Sequence, residues 1–282
     1  MALPANLSAQ DLTRLLELFP LKSLKEEWPD KKGTKEDLCK EIAKEKDLGR
    51  IADFVDKSLN LCKQNVYVFD IDPLALPAMP TVTAKGWVKK VGKTHAMYLI
   101  RVQFKVVLRD PFEETTIDFA WPFTLDLVEK YLVLRFIVLE KNIATYFQRP
   151  FVKGVRNIDE QEIIESLKQN NKLKAVDLNK GVKKQWSSDV MDARRTHYKK
   201  PTSTASEAMD EERGIKKDNP ELYAILMKSP LYRTLFIVPA TAKRKEVPLW
   251  IDPTQGTINF PRYSETMGNT DNVIREILKK NN

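Results

Sequence analysis

Two cysteines, Cys39 and Cys62, two histidines, His95 and His197, and nine glycines are all that 282 residues hold of these three types. Two thiols cannot staple a disulfide scaffold, and their spacing matches no metal-ligand pattern even with the histidines added. A reducing, intracellular compartment (cytoplasm, nucleus or nucleoid) is therefore expected, with no metal. So few glycines leave little material for the backbone cradles on which nucleotide cofactors rest, and no cofactor is expected. Long hydrophobic runs are missing too, and "MALPANLSAQDL" carries no basic segment ahead of an apolar stretch. Neither a membrane span nor a secretory leader is expected.

What is present is a chain with 42% hydrophobic and 30% charged residues, enough for one large domain or two smaller ones with real cores. Lys plus Arg outnumber Asp plus Glu by 47 to 39, a net charge of +8 that favours polyanions or acidic surfaces as partners.

The first third reads as helices. Leu12, Leu15, Leu16 and Phe19 follow Ser8 at the spacing of one helical face, and Ser8 with Asp11 forms a capping box. Thr34 and Asp37 repeat the arrangement before Leu38 and Ile42, with Lys40 and Lys44 toward the end where the helix dipole favours cations. From Asp47 to about Lys63 a third segment aligns Leu48, Ile51, Ala52, Val55, Leu59 and Cys62. Residues 1–64 are thus expected to form a small helical bundle.

"LSAQDLTRLLELFPL" followed by "GTKEDLCKEI" resembles the SAP type of helix-extended-helix DNA-binding motif. The resemblance implies that Lys31, Lys32, Gly33, Thr34 and Lys35 sit at the phosphate backbone, the glycine permitting close approach and the helix start donating amides. The inserted "KSLKEEWPDKK" departs from that pattern and suggests an extra short helix around Leu24 and Trp28. It brings in a competing resemblance, to death-fold or pyrin-like bundles that pair with other proteins. The plainest alternative is a solvated loop and a capped helix bearing ordinary surface lysines.

The middle reads as a sheet. Tyr98, Ile100, Val102, Phe104, Val106 and Leu108 alternate with Arg101, Gln103, Lys105 and Arg109, the pattern of a half-buried antiparallel strand. "YLVLRFIVLE" is apolar on both faces and suits a central strand, while "NVYVFDI", "TVTAKGWV", "TTIDFAW" and "IATYFQ" are further candidates. Glu160 to Gln169 resumes helical spacing. The expected fold class is α+β, a small N-terminal helical bundle followed by a mainly antiparallel sheet with flanking helices.

Residues 171–217 are polar, and between Lys172 and Lys200 nine Lys or Arg face three Asp. Trp186 and Tyr198 lie among those charges, where aromatics can stack bases while cations meet phosphates. A solvated linker or insertion fits the same composition and is the favoured reading. Residues 218–282 hold a helix from Asn219 to Met227, strands at "LYRTLFIVPA", "EVPLWI" and "TINF" with the turn "DPTQG", and a closing helix through Val273, Ile274, Ile277 and Leu278. They form a unit of their own or complete the sheet of residues 65–170.

Two motifs invite an enzyme and fail. "GWVKKVGKT" has five residues between its glycines where a P-loop has four, and an alternating strand follows where a helix must open. A hairpin turn at Gly92-Lys93 fits better. "VYVFDIDP" resembles the first motif of haloacid-dehalogenase phosphatases, but Pro73 and Leu74 follow Asp72 where Thr or Val should come two residues on. His95 and His197 have no evident partners that would select a general base.

The resulting expectation is a non-enzymatic binding protein that contacts nucleic acid, DNA before RNA. Lys31, Lys32 and Lys35 are its first phosphate contacts. Lys89, Lys90 and Lys93 would form a second basic edge, and Lys183, Lys184, Arg194 and Arg195 a flexible third. The alternative is a scaffold or signalling subunit whose helical bundle meets another protein through apolar surface residues such as Trp28.

Overall fold

The structure is a computed structural model that describes residues 2–77, 86–109, 111–139, 151–199, 204–208, 214–240, 246–264, 266 and 268–282. The fold is α+β, with helices ahead of antiparallel strands and further helices flanking them. The chain divides into two compact units that interleave along the sequence. The first holds Met1–Cys62, Leu76–Leu125 and Phe136–Lys172, the second Lys63–Ala75, Asp126–Arg135 and Leu173–Asn282. Divisions between the units fall at 62/63 and 172/173, close to the boundaries expected near 64 and 170, and none falls near 217.

In the first unit, α1 (Ala9–Glu17), α2 (Leu21–Glu27), α3 (Lys35–Glu45) and α4 (Leu48–Ser58) form the helical part. Both capping boxes are formed: Asp11 N donates to Ser8 Oγ at 3.1 Å, and Thr34 Oγ1 donates to Asp37 Oδ2 at 2.6 Å. The inserted segment supplies α2, and Trp28 just after it is 2% exposed, edge-on to Phe54 at 4.9 Å with the Arg50 guanidinium 5.1 Å above its ring. Trp28 is thus a core residue of the bundle and offers no apolar surface to a partner. The reason is shape: short helices cover a core only when a large side chain fills the gap between them.

The bundle is tied to the strands of the same unit. Arg14 Nη1 donates to the Asp118 carbonyl at 2.8 Å, and Arg101 pairs with Asp11 at 3.0 Å. Those strands are β2 (Trp87–Val91), β3 (His95–Leu108), β4 (Glu113–Val128) and β6 (Phe151–Arg156), following β1 (Gln64–Asp72) and preceded in β6 by β5 (Tyr131–Ile137). β2 pairs the first residues of β3, from Trp87 opposite Leu99 to Val91 opposite His95, and β6 pairs its last, from Phe104 opposite Arg156 to Leu108 opposite Phe151. Gly92, at φ 64°, opens the turn between β2 and β3. The P-loop-like stretch is thus a hairpin, and no helix follows it. Of the expected strands, "IATYFQ" and the start of "TVTAKGWV" lie outside the described residues. α5 (Glu160–Asn170) follows as the spacing indicated.

The second unit corrects the linker reading. Residues 172–199 hold β7 (Lys172–Ala175), α6 (Asn179–Ser187) and β8 (Asp192–Lys199), and β9 (Thr204–Ala208) follows. Trp186 is fully buried, edge-on to Phe236 at 5.4 Å and to Tyr223 at 5.0 Å, and its Nε1 donates to Asp192 Oδ1 at 2.8 Å. Tyr198 belongs to the same core. Neither aromatic is available to stack a base. The composition misled because α6 is amphipathic with few apolar residues: Gly181, Val182, Gln185 and Trp186 are buried while Lys180, Lys184 and Ser187 face out. Gly181 is required there, since a Cβ would meet the Ile277 carbonyl at 2.2 Å. Helices α7 (Ile215–Asp218) and α8 (Pro220–Lys228), strands β10 (Thr234–Val238), β11 (Val247–Asp252) and β12 (Thr257–Phe260), and α9 (Asn269–Asn281) complete the unit. The strand order from β5 is β5-β1-β12-β11-β10-β8-β9, so the C-terminal strands continue from β1. Val66, Val68, Ile258, Phe260, Leu249 and Ile251 face the core under α6, α8 and α9.

Candidate nucleic-acid interface

Five of the ten cations expected to meet phosphate are already bound within the protein. Lys31 is 12% exposed and pairs with Glu45 and with Glu41 at 3.0 Å, and these carboxylates hold its ammonium pKa above the usual lysine range. Lys35 Nζ donates to the Glu17 carbonyl. The start of α3 carries the Asp37 carboxylate, which takes the Thr34 amide and hydroxyl and is itself held below the usual carboxylate range by them. A negative charge thus stands where a phosphate would dock. Gly33, at φ 109°, supplies the left-handed turn into the cap, and a Cβ there would press on Asp37 Cβ at 3.2 Å. Lys32 is exposed, with no ion pair among the described residues.

Lys89 is 14% exposed and lies between Asp53 at 2.8 Å and Asp56 at 2.9 Å. Asp56 also meets His95 Nε2 at 2.7 Å, so this histidine has the partner that the sequence did not reveal. Burial raises the Asp56 pKa, but His95 and Lys89 together outweigh it and hold the group below its ordinary range. The network fastens the β2–β3 hairpin to α4. Lys93 is exposed in the turn, and Lys90 is a β2 residue whose side chain lies outside the described residues.

In the second unit, Lys183 Nζ donates to the Ser229 carbonyl at 2.8 Å, and burial lowers its pKa. Arg194 pairs with Glu246 at 3.2 Å beside a cleft of about 690 Å³ that also presents Asp189, Asp192 and Asp218. Lys184 and Arg195 are exposed. Of the twelve candidate residues, Arg195 is the one that β-sheet geometry places in a larger arrangement.

That arrangement is built by register. Asn65 lies opposite Asn259, Asn259 opposite Trp250, Trp250 opposite Leu235, and Leu235 opposite Arg195. Strand alternation puts this row on the face away from the core, because its neighbours Val66, Ile258, Ile251 and Phe236 are core residues. One step along, Tyr67, Thr257 and Asp252 form a parallel row. Asn259 Nδ2 donates to Asn65 Oδ1, and the exposed Arg233 guanidinium lies 5.0 Å above the Trp250 ring. Together with Tyr67 and Thr257 these residues line an open cleft of about 370 Å³. Its carboxylate, Asp252, is engaged in capping the turn after β11, accepting from Thr254 Oγ1 at 2.7 Å and Gln255 N at 3.3 Å. Neither Arg195 nor Arg233 has an ion pair among the described residues. Sequence reasoning located these strands but missed Asn65, Tyr67, Trp250, Asn259 and Arg233 as a group. The alternation in "NVYV", "LWID" and "TINF" marks which residues face outward, but not which strands lie side by side.

Among the described residues no group of His, Cys, Asp and Glu is placed to hold a metal ion, and no helix is long and apolar enough to cross a membrane. No family model, no curated protein and no solved structure matches the chain.

Proposed function

We propose that the chain is a non-enzymatic binding protein that contacts nucleic acid over the open face of the second unit's sheet. The observation that carries this reading is the five-strand row from Asn65 to Arg195, in which an indole, two amides and a cation stand in register with a second cation on the indole. Cations with no carboxylate partner among the described residues attract phosphate, and aromatic planes between them attract bases. The opening loop contributes less, because Lys31 and Lys35 are held by their own unit.

The test is fluorescence anisotropy with labelled oligonucleotides at about 50 and 200 mM salt, where neutralising several phosphates makes affinity fall steeply. The double variant Arg195→Ala, Arg233→Ala should lose tenfold or more in affinity, and the triple variant Lys31→Ala, Lys32→Ala, Lys35→Ala should stay near the parent. No binding to any oligonucleotide at the lower salt sinks the reading. A protein partner is the second reading, favoured by Phe112, which stands 76% exposed before β4. It requires that Phe112→Ser weaken a protein complex, and a chain that neither self-associates nor binds a partner through Phe112 refutes it.

A further inference from the structure

We infer that the nucleic acid held on this face is single-stranded and is gripped by a base stacked on the Arg233–Trp250 pair, an inference that rests on the nucleic-acid reading above. The groups that converge there offer planes. The guanidinium of Arg233 covers the Trp250 ring, and Tyr67 stands one row away. A plane meets a base through its π face, and in a duplex both π faces of each base are taken by neighbouring pairs. Duplex sequence is read instead at base edges, by an element that enters a groove. A sheet face carrying an arginine plane and an aromatic ring therefore fits unstacked bases, which expose their faces at no cost of unpairing.

The row also gives direction and length. Strands about 4.8 Å apart place Asn65 and Arg195, four steps apart, at roughly 19 Å. A single strand lying across β1, β12, β11, β10 and β8 would put a phosphate at Arg195, a base on Arg233–Trp250, and the edge of that base beside the Asn259–Asn65 amide pair. Such a path covers about four nucleotides, the short end of the sites that single-strand binding folds use.

The test compares three labelled probes of equal length: a single strand, its duplex, and an abasic strand that keeps sugars and phosphates without bases. Parent protein should bind the single strand about tenfold or more tighter than the abasic one, and tighter than the duplex. Arg233→Lys keeps the charge and removes the plane at an exposed position. It should pull the single strand toward the abasic affinity while the abasic affinity stays within about twofold. Duplex binding that equals or exceeds single-strand binding overturns the inference, and so does a single-to-abasic ratio that Arg233→Lys leaves unchanged. In both cases salt-sensitive binding would leave the nucleic-acid reading standing. Failure to bind any of the three probes removes both.

Discussion

The loop from Lys31 to Lys35 and the sheet row ending at Arg195 carry the same signal in the sequence, namely cations near aromatics and polar residues, yet they differ in what surrounds each charge. In the loop, α3 lies within reach and brings Glu41 and Glu45 to Lys31, while the end of α1 brings the Glu17 carbonyl to Lys35. On the sheet, the neighbours of Arg195 and Trp250 come from adjacent strands, and in register they are Leu235, Ala208 and Asn259. A lysine-rich stretch therefore overstates available charge when a helix with acids packs beside it. Two tryptophans repeat the lesson. Arg50 lies over Trp28 and Arg233 over Trp250 at almost the same height, 5.1 and 5.0 Å. Arg50, however, is also bonded to Glu27, and Trp28 is sealed in the bundle.

The largest expected effect separates the tryptophans. Trp28→Ala should cost about 3–5 kcal/mol of stability, as emptying a large aromatic site does, with no specific loss of oligonucleotide affinity in whatever remains folded. Chemical denaturation followed by circular dichroism measures the first part. If Trp28→Ala unfolds at the parent's denaturant midpoint, Trp28 is not a core residue and the contrast fails.

Next comes the cation pair of the sheet, whose double alanine variant should lose tenfold or more in binding with an unchanged melting temperature. Should the variant melt early, the arginines support the fold and the row is no interface.

A smaller effect concerns Asp56, which joins α4 to Lys89 and His95. Its folded-state pKa is depressed, so its stabilisation is present above the ordinary carboxylate pKa near 4 and is lost as pH falls through the lower folded value. Asp56→Asn should therefore cost about 1–2 kcal/mol at neutral pH, with the gap to the parent closing as the pH drops below about 4. Denaturation curves measured from pH 7 downward check this, and a gap that does not narrow as the pH is lowered contradicts it.

The smallest effect belongs to Lys31→Ala. Its partners are exposed glutamates, and exposed ion pairs contribute little because solvent screens them and two long side chains must be ordered. Neither melting temperature nor oligonucleotide affinity should move measurably. A large drop in affinity would return the opening loop to the interface and reverse the comparison.

Local signals were legible in the sequence. Ser8 with Asp11 and Thr34 with Asp37 announce α1 and α3 because a capping box needs only residues three apart. The alternation from Tyr98 to Leu108 announces β3 for the same reason. α6 was hidden because its N-cap, Leu178, makes no side-chain cap and because it buries a glycine and a glutamine beside Val182 and Trp186. His95 looked solitary because its partner, Asp56, is 39 residues away on α4.

By itself the sequence determined the starts of α1 and α3, the strand faces, the hairpin at Gly92 and the class of fold, since each depends on neighbours within one turn or one pleat. Only the tertiary structure decided which charges stay available. Whether a lysine meets water or a glutamate depends on elements far apart in the chain, and so does the row from Asn65 to Arg195, whose members Asn65 and Asn259 lie 194 residues apart and which exists only through strand register. Periodicity fixes the face on which a side chain stands. Long-range pairing fixes what stands next to it, and that neighbour separates a cation held by the protein from one left exposed.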